Sequence, residues 1–161
     1  MSNALGAITS RNDFHDALRS GFAEAATAGC RELCLLDADF ADWPLGERDV
    51  VESLTHWVGS QRRLTLLANG YDAVVRRHAR WVEWRRQWSH VVQCFAPTEL
   101  EVAPVPTVLW AAGLLQVSLQ DRVHHRGVWS RDAGDLLRGK ERIDAHLQRS
   151  TPAFPVTVAG L

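Results

Sequence analysis

Two short strand-like runs, residues 33–36 in RELCLLDADF and 63–68 in RLTLLANG, most constrain what this chain can fold into. Each is too short for a buried helix and ends in acidic or turn residues. Each also lies between segments with helical spacing, which is the pattern of parallel strands buried on both faces. The first helix is marked by Ser10 and Asp13 in capping-box positions, then Phe14, Leu18, Phe22 and Ala25, and a stop at Gly29. A second carries Val50, Leu54, Trp57 and Val58 and stops at Gly59. Residues 71–89 form a third, with residues 91–95 as a further strand.

Pro97, Pro104 and Pro106 make residues 96–106 a loop. Residues 107–112, 114–120 and 124–130 then read as three antiparallel strands joined by turns at Gly113 and at Asp121 and Arg122. Asp132 opens a last helix, with Leu136, Ile143 and Leu147 on one face, and the tail PAFPVTVAGL is an extended segment lying on the domain. Helices alternating with strands, then hairpins, predict an α/β fold: one domain over residues 1–161, a mixed-sheet sandwich with flanking helices. Ser2, Asn3 and Ala4 read as a cloning remnant, and residues 1–9 are expected to be poorly ordered.

Composition narrows the function classes. A chain of 161 residues with 46% hydrophobic and 23% charged residues can bury one core, and a net charge of −1 excludes a protein that coats nucleic acid through overall basicity. No segment approaches the roughly 20 apolar residues of a membrane span, and the start of the chain lacks a signal-peptide pattern. Three cysteines without framework spacing, Cys30, Cys34 and Cys94, read as reduced buried thiols, so the expected location is the cytoplasm. Of the 18 cationic side chains all but Lys140 are Arg, so a mechanism that needs lysine has one candidate.

The most distinctive stretch is residues 71–95, YDAVVRRHARWVEWRRQWSHVVQCF. At about 100° per residue, Trp81, Trp84 and Trp88 share one stripe, with His78 at its edge and Arg77 and Arg85 among the rings. The simplest reading is a core face over which the arginine stems lie. A self-association face and a nucleic-acid or phosphate surface are the other two, since Trp and Arg serve both. Arg77, His78, Trp81, Arg85 and Trp88 are therefore candidate ligand- or partner-binding residues.

Asp37, Asp39 and Asp42 follow the first apolar run, at the strand end where α/β sheets place ligands. Aspartates are common there as turn and helix caps, so Asp39 is kept as a binding candidate and no metal is assigned. The polar run DRVHHRGVWSRD offers Asp121, His124, His125, Arg126 and Asp132. Adjacent histidines in a strand point to opposite faces, which argues against zinc. One histidine with Arg126 could bind phosphate or transfer a proton, oriented by Asp121 or Asp132. The competing reading makes Asp121 and Arg122 the turn and pairs Arg126 with a carboxylate across the sheet. Glycine-rich phosphate loops, G-x-S-x-G and HExxH are absent, and no cofactor is implied.

The phrases FHDALRSGFAEAATAGCRELCLLDADFADWPL, RLTLLANGYDAVVRRHARWVEWRRQWSHV, DRVHHRGVWSRDAGDLL and IDAHLQRSTPAFP resemble the phospholipase D-like fold. More closely they resemble an uncharacterised bacterial domain of that type, found alone or attached to an acetyltransferase domain. The resemblance implies a half-molecule that dimerises, with H-x-K-x-x-x-x-D from each half around a phosphodiester. This chain departs from that motif. His125 has Asp132 seven residues on but Gly127 in the lysine slot, and His124 has Arg126 in that slot but Arg131 in place of the aspartate. The expectation is a non-catalytic, homodimeric binding domain for a phosphate-containing ligand or an acetyltransferase-type partner. The alternatives are a degenerate phosphodiesterase using His124, His125, Arg126 and Asp132, and a nucleic-acid-binding module, which is possible but not favoured.

Overall fold

A computed structural model describes residues 4–99 and 104–156. The chain runs β1 (Leu5–Ile8), α1 (Arg11–Ala28), β2 (Glu32–Leu36), α2 (Arg48–Trp57), β3 (Arg63–Leu67), α3 (Asp72–Arg77), α4 (Ala79–Gln87), β4 (Val92–Pro97), β5 (Thr107–Ala111), β6 (Leu115–Asp121), β7 (Arg126–Ser130), α5 (Ala133–Leu147) and β8 (Ser150–Pro152). The strands form one eight-stranded sheet in the order β1-β7-β6-β5-β2-β3-β4-β8. β2, β3 and β4 are parallel, and antiparallel strands flank them on both sides. The fold is α/β with a mixed sheet, as the alternation predicts.

The apolar runs work as parallel strands because both of their faces are covered. Leu33 and Leu35 enter the larger core beneath α1, α2 and α4, while Cys34 and Leu36 enter a smaller one beneath α5. Helix α1 is held by its caps. The Ser10 hydroxyl accepts the Asp13 N–H at 3.1 Å, and Gly29 closes the helix at φ 72°, a left-handed conformation that costs glycine little. The Asp13 carboxylate turns to the N–H and hydroxyl of Thr9 and not to Ser10, so the capping box is only half formed. On the far face, Trp110 Nε1 donates to the Leu136 carbonyl at 2.9 Å and seats α5.

Three expectations are corrected. Leu5–Ile8, expected to be poorly ordered, pair with β7 in register from Leu5 opposite Ser130 to Ile8 opposite Gly127. The helix predicted over residues 71–89 is two helices, broken at His78. His124 and His125 lie in the β6–β7 turn and not in a strand, and His125 takes a positive φ of 53° there. The tail pairs with β4 through β8, and the part of it beyond residue 156 lies outside the described residues, as do residues 100–103 of the predicted loop. Cys30, Cys34 and Cys94 are buried free thiols, and burial pushes Cys34 up to about 12 and Cys94 up to about 11. Among the described residues no helix is long and apolar enough to cross a membrane.

Candidate functional site

The carboxyl end of β2 places Asp37 where the chain must turn away from the sheet, and the residue is 2% exposed. A buried carboxylate needs several donors, and Asp37 has them. One oxygen accepts the backbone N–H groups of Phe40 at 2.8 Å and Asp39 at 3.2 Å, and the other accepts the Thr107 hydroxyl at 2.6 Å. The loop after β2 is thereby tied to the start of β5. Arg122, from the β6–β7 turn, brings Nε within 3.5 Å of Asp37 and Nη2 within 3.8 Å of Asp39.

Asp42, further along the same loop, is the hub of a second cluster. Its carboxylate accepts Arg11 Nε at 2.7 Å and pairs with His125 Nε2, and its backbone carbonyl accepts His15 Nε2 at 2.7 Å. Partial burial opposes ionisation of Asp42, but the hydrogen bonds from His125 and Arg11 outweigh it and hold the carboxyl below its ordinary range. Between the two clusters lies a cleft of about 250 Å³ with Phe14, Trp43, Leu119 and Val123 as apolar wall and Asp37, Asp42, Thr107, Arg122 and His125 as polar lining. The set can accept hydroxyls on carboxylates, receive an anion on a guanidinium, and move a proton through an imidazole.

The polar run predicted as a site is only partly gathered here. His125 faces the cleft, but its carboxylate partner is Asp42, 83 residues away, and neither Asp121 nor Asp132. Asp132 instead caps α5, accepting the Asp135 N–H at 3.0 Å. His124 is exposed and bonded to Asp121 through Nδ1 at 2.8 Å, which holds the Asp121 carboxyl low. Arg126 is exposed on β7 with Asp121 as its register partner. Asp39 stays at the loop beside Arg122. Arg11, Thr107 and Arg122 carry no sequence signal of their own as site residues, because only the folded topology brings them to β2. Among the described residues no group of three or more His, Cys, Asp and Glu could hold a metal ion.

The tryptophan stripe goes inward. Trp81 and Trp84 are buried in the larger core with ring centroids 6.3 Å apart, and Trp88 is half-buried at its edge. His78 breaks the helix because its ring is engaged elsewhere: Nε2 donates to the Phe40 carbonyl at 2.7 Å and Nδ1 accepts the Gly46 N–H at 3.2 Å. Those partners fix a neutral ring, and burial lowers its pKa. Gly46 is required at that contact, since a Cβ there would stand 2.8 Å from the His78 Cα. His78 thus braces the loop that carries Asp39 and Asp42. Arg77 is exposed, with Nη1 3.4 Å from the Ala41 carbonyl, whereas Arg85 is 6% exposed and lies over the Phe154 ring at 4.6 Å.

No family model and no curated protein matches the sequence. Solved structures do resemble the fold. They include TrmBL2, an archaeal chromatin protein whose structure shows a novel mode of DNA binding, with a TM-score of 0.65 and 12% identity over 94% of this chain and 54% of that one. NucT from Helicobacter pylori gives 0.58 at 8% identity over 92% of this chain and 98% of that one. Phosphatidylserine synthase of Haemophilus influenzae Rd KW20 gives 0.55 at 10% identity over 92% and 38%. The chain spans about half the length of the TrmBL2 chain. With the mixed sheet, its flanking helices and these neighbours in hand, the architecture is phospholipase D-like.

Proposed function

We propose that this chain is a phospholipase D-like binding domain without phosphotransfer chemistry. Its ligand is a small molecule that carries a phosphate and hydroxyl groups, held in the cleft between the carboxyl end of β2 and the β6–β7 turn. One observation carries the reading: the charged side chains of the cleft are already engaged with one another. His125 is paired with Asp42, and Arg122 is shared between Asp37 and Asp39. Lys140, the only lysine, lies on the opposite face of the sheet over Trp110, 2.7 Å from Asp144. Phosphoryl transfer needs firmly placed cations for the charge that develops on the phosphoryl oxygens; among the described residues the one guanidinium lining the cleft is Arg122, held loosely between two carboxylates, and no lysine stands beside it.

Binding asks for less. Arg122 is about half exposed and holds its two carboxylates loosely, at 3.5 and 3.8 Å, so a phosphate oxygen can compete for it. The aspartates would repel a bare anion, but they accept hydroxyls, and Phe14 and Trp43 offer an apolar wall. Calorimetric titration with AMP and with ribose 5-phosphate tests this. Saturable binding that Arg122→Ala abolishes is expected, and absence of binding by both probes would remove the ligand class.

A second reading, nucleic-acid binding, is favoured by a specific arrangement. Arg77 and Arg80 donate to the carbonyls of Ala41 and Gly46, so they border the loop that Arg11 and Arg122 also meet, and one fold neighbour binds DNA. Binding of a short duplex that weakens steeply with salt and with Arg77→Ala plus Arg80→Ala would support it. Homodimerisation belongs to the same proposal. Trp81 and Trp84 are committed to the core, which leaves Trp88 as the stripe's remaining contact for a second copy. Sedimentation velocity of the wild type against Trp88→Ala decides it, and a monomeric wild type would remove it.

A further inference from the structure

Arg85 is the most poorly accommodated charge in the described chain. It projects from α4 toward the sheet edge where β8 closes on β4, and it is 6% exposed. Among the described residues no carboxylate lies within ion-pair distance, no acceptor meets its guanidinium, and its Nε is enclosed without a hydrogen-bond partner. The one favourable contact is the Phe154 ring, 4.6 Å from the guanidinium carbon, which is itself stacked on Tyr71 at 5.0 Å. Cation–π attraction compensates part of the desolvation of an arginine but supplies no acceptor for its N–H groups. A buried charge without an acceptor is retained when something else provides one.

Space for such a partner is present. A cavity of about 330 Å³ has Arg85 in its lining, with Gln93, Cys94, Phe95, Pro152, Ala153 and Pro155 as the other walls. It is separate from the cleft at Asp37 and shares no lining residue with it. Its single cation balances one negative charge. The Cys94 thiol, pushed up to about 11 by burial, stays neutral at physiological pH and adds no second charge. Apart from Gln93 the remaining wall is apolar or aromatic. A phosphate dianion would bring more charge than one guanidinium neutralises, and this cavity lacks the imidazole that the cleft at Asp37 sets beside Arg122. A carboxylate matches the planar fork in charge and geometry, and an apolar body attached to it would fill the rest.

We infer that the Arg85 cavity is a binding site for a small organic monocarboxylate with an aromatic or branched aliphatic body, whose carboxylate pairs with the Arg85 guanidinium beside the Phe154 ring. Because Pro152 of β8 and Ala153 form part of its wall opposite Gln93, Cys94 and Phe95 of β4, occupancy fastens the chain after α5 to β4, and binding therefore raises thermal stability.

The experiment measures the thermal midpoint and calorimetric binding of the full chain with benzoate, using benzamide as the neutral isostere and inorganic phosphate as the non-matching anion. Benzoate is expected to bind saturably and raise the midpoint, with benzamide and phosphate ineffective. Arg85→Met, which keeps the stem and removes the charge, is expected to weaken benzoate at least about tenfold, the loss appropriate to a charged hydrogen-bonded pair. Should that variant not fold, Ala153→Leu keeps Arg85 and fills the cavity, and it must lose benzoate binding. The inference is overturned if benzoate neither binds nor stabilises, if benzamide does as well, or if either folded variant binds benzoate like the wild type. Destabilisation by Arg85→Met without any carboxylate binding would make Arg85 a clamp for Phe154 only.

Discussion

Replacing Thr107 by valine removes one hydroxyl and leaves the volume of a buried side chain, 2% exposed, unchanged. The lost hydroxyl donates to Asp37 at 2.6 Å, and Asp37 is itself buried, so one carboxylate oxygen is left with only the Arg122 Nε at 3.5 Å. A hydrogen bond to a buried charged group contributes about 1.5–3 kcal/mol. For a domain of this length each kcal/mol moves Tm by roughly 2–4 °C, which puts the loss at about 3–12 °C. The Asp37 bonds to the Phe40 and Asp39 amides should loosen as well, so hydrogen exchange at both should accelerate. Urea or thermal unfolding of wild type, Thr107→Val, Thr107→Ser and Asp37→Asn, with the Val/Asn double variant, gives the coupling energy directly. Serine keeps the hydroxyl and should stay within about 1 kcal/mol of wild type, as expected of a volume-reducing change at one methyl group. A Thr107→Val protein within about 0.5 kcal/mol of wild type, the scatter of ordinary surface changes, would refute the view that this bond fastens the site loop to β5.

The stripe in α4 divides by burial, so Trp81→Ala should cost about 3–5 kcal/mol and Trp88→Ala clearly less; equal losses in denaturant unfolding would contradict the inward placement. The His78 ring is held neutral, with a folded pKa below the ordinary 6.5. Its contribution is therefore complete above pH 6.5 and is lost as pH falls from there through the folded value. His78→Gln should shrink the stability difference between about pH 7.5 and 5.5, although His146, also lowered by burial, leaves a remainder. An unchanged difference would show that His78 is not the titrating brace.

The parts of the fold that local chemistry decides were legible. Ser10 and Gly29 cap α1, and the runs around Leu35 and Leu66 are parallel strands, because those outcomes rest on neighbours in sequence. The break at His78 was not. Spacing alone favours one helix through residues 71–89, and it is interrupted by partners at Phe40 and Gly46, far back in the chain. β1 is not legible because a four-residue edge strand, LGAI, has almost no pattern of its own and depends on β7. At the site, His125 was identifiable as a polar residue near the ligand end of a sheet. Its partner is not legible: Asp121 and Asp132 are near in sequence, but one is bonded to His124 and the other caps α5, while Asp42 is distant in sequence and adjacent in space.

The claim that this domain binds and does not cleave is tested most directly by steady-state hydrolysis of bis(p-nitrophenyl) phosphate, with wild type, His125→Ala and Asp42→Asn measured side by side. The account predicts that all three proteins match the buffer blank. Turnover by the wild type that disappears in His125→Ala would contradict it and make the His125–Asp42 pair an active site.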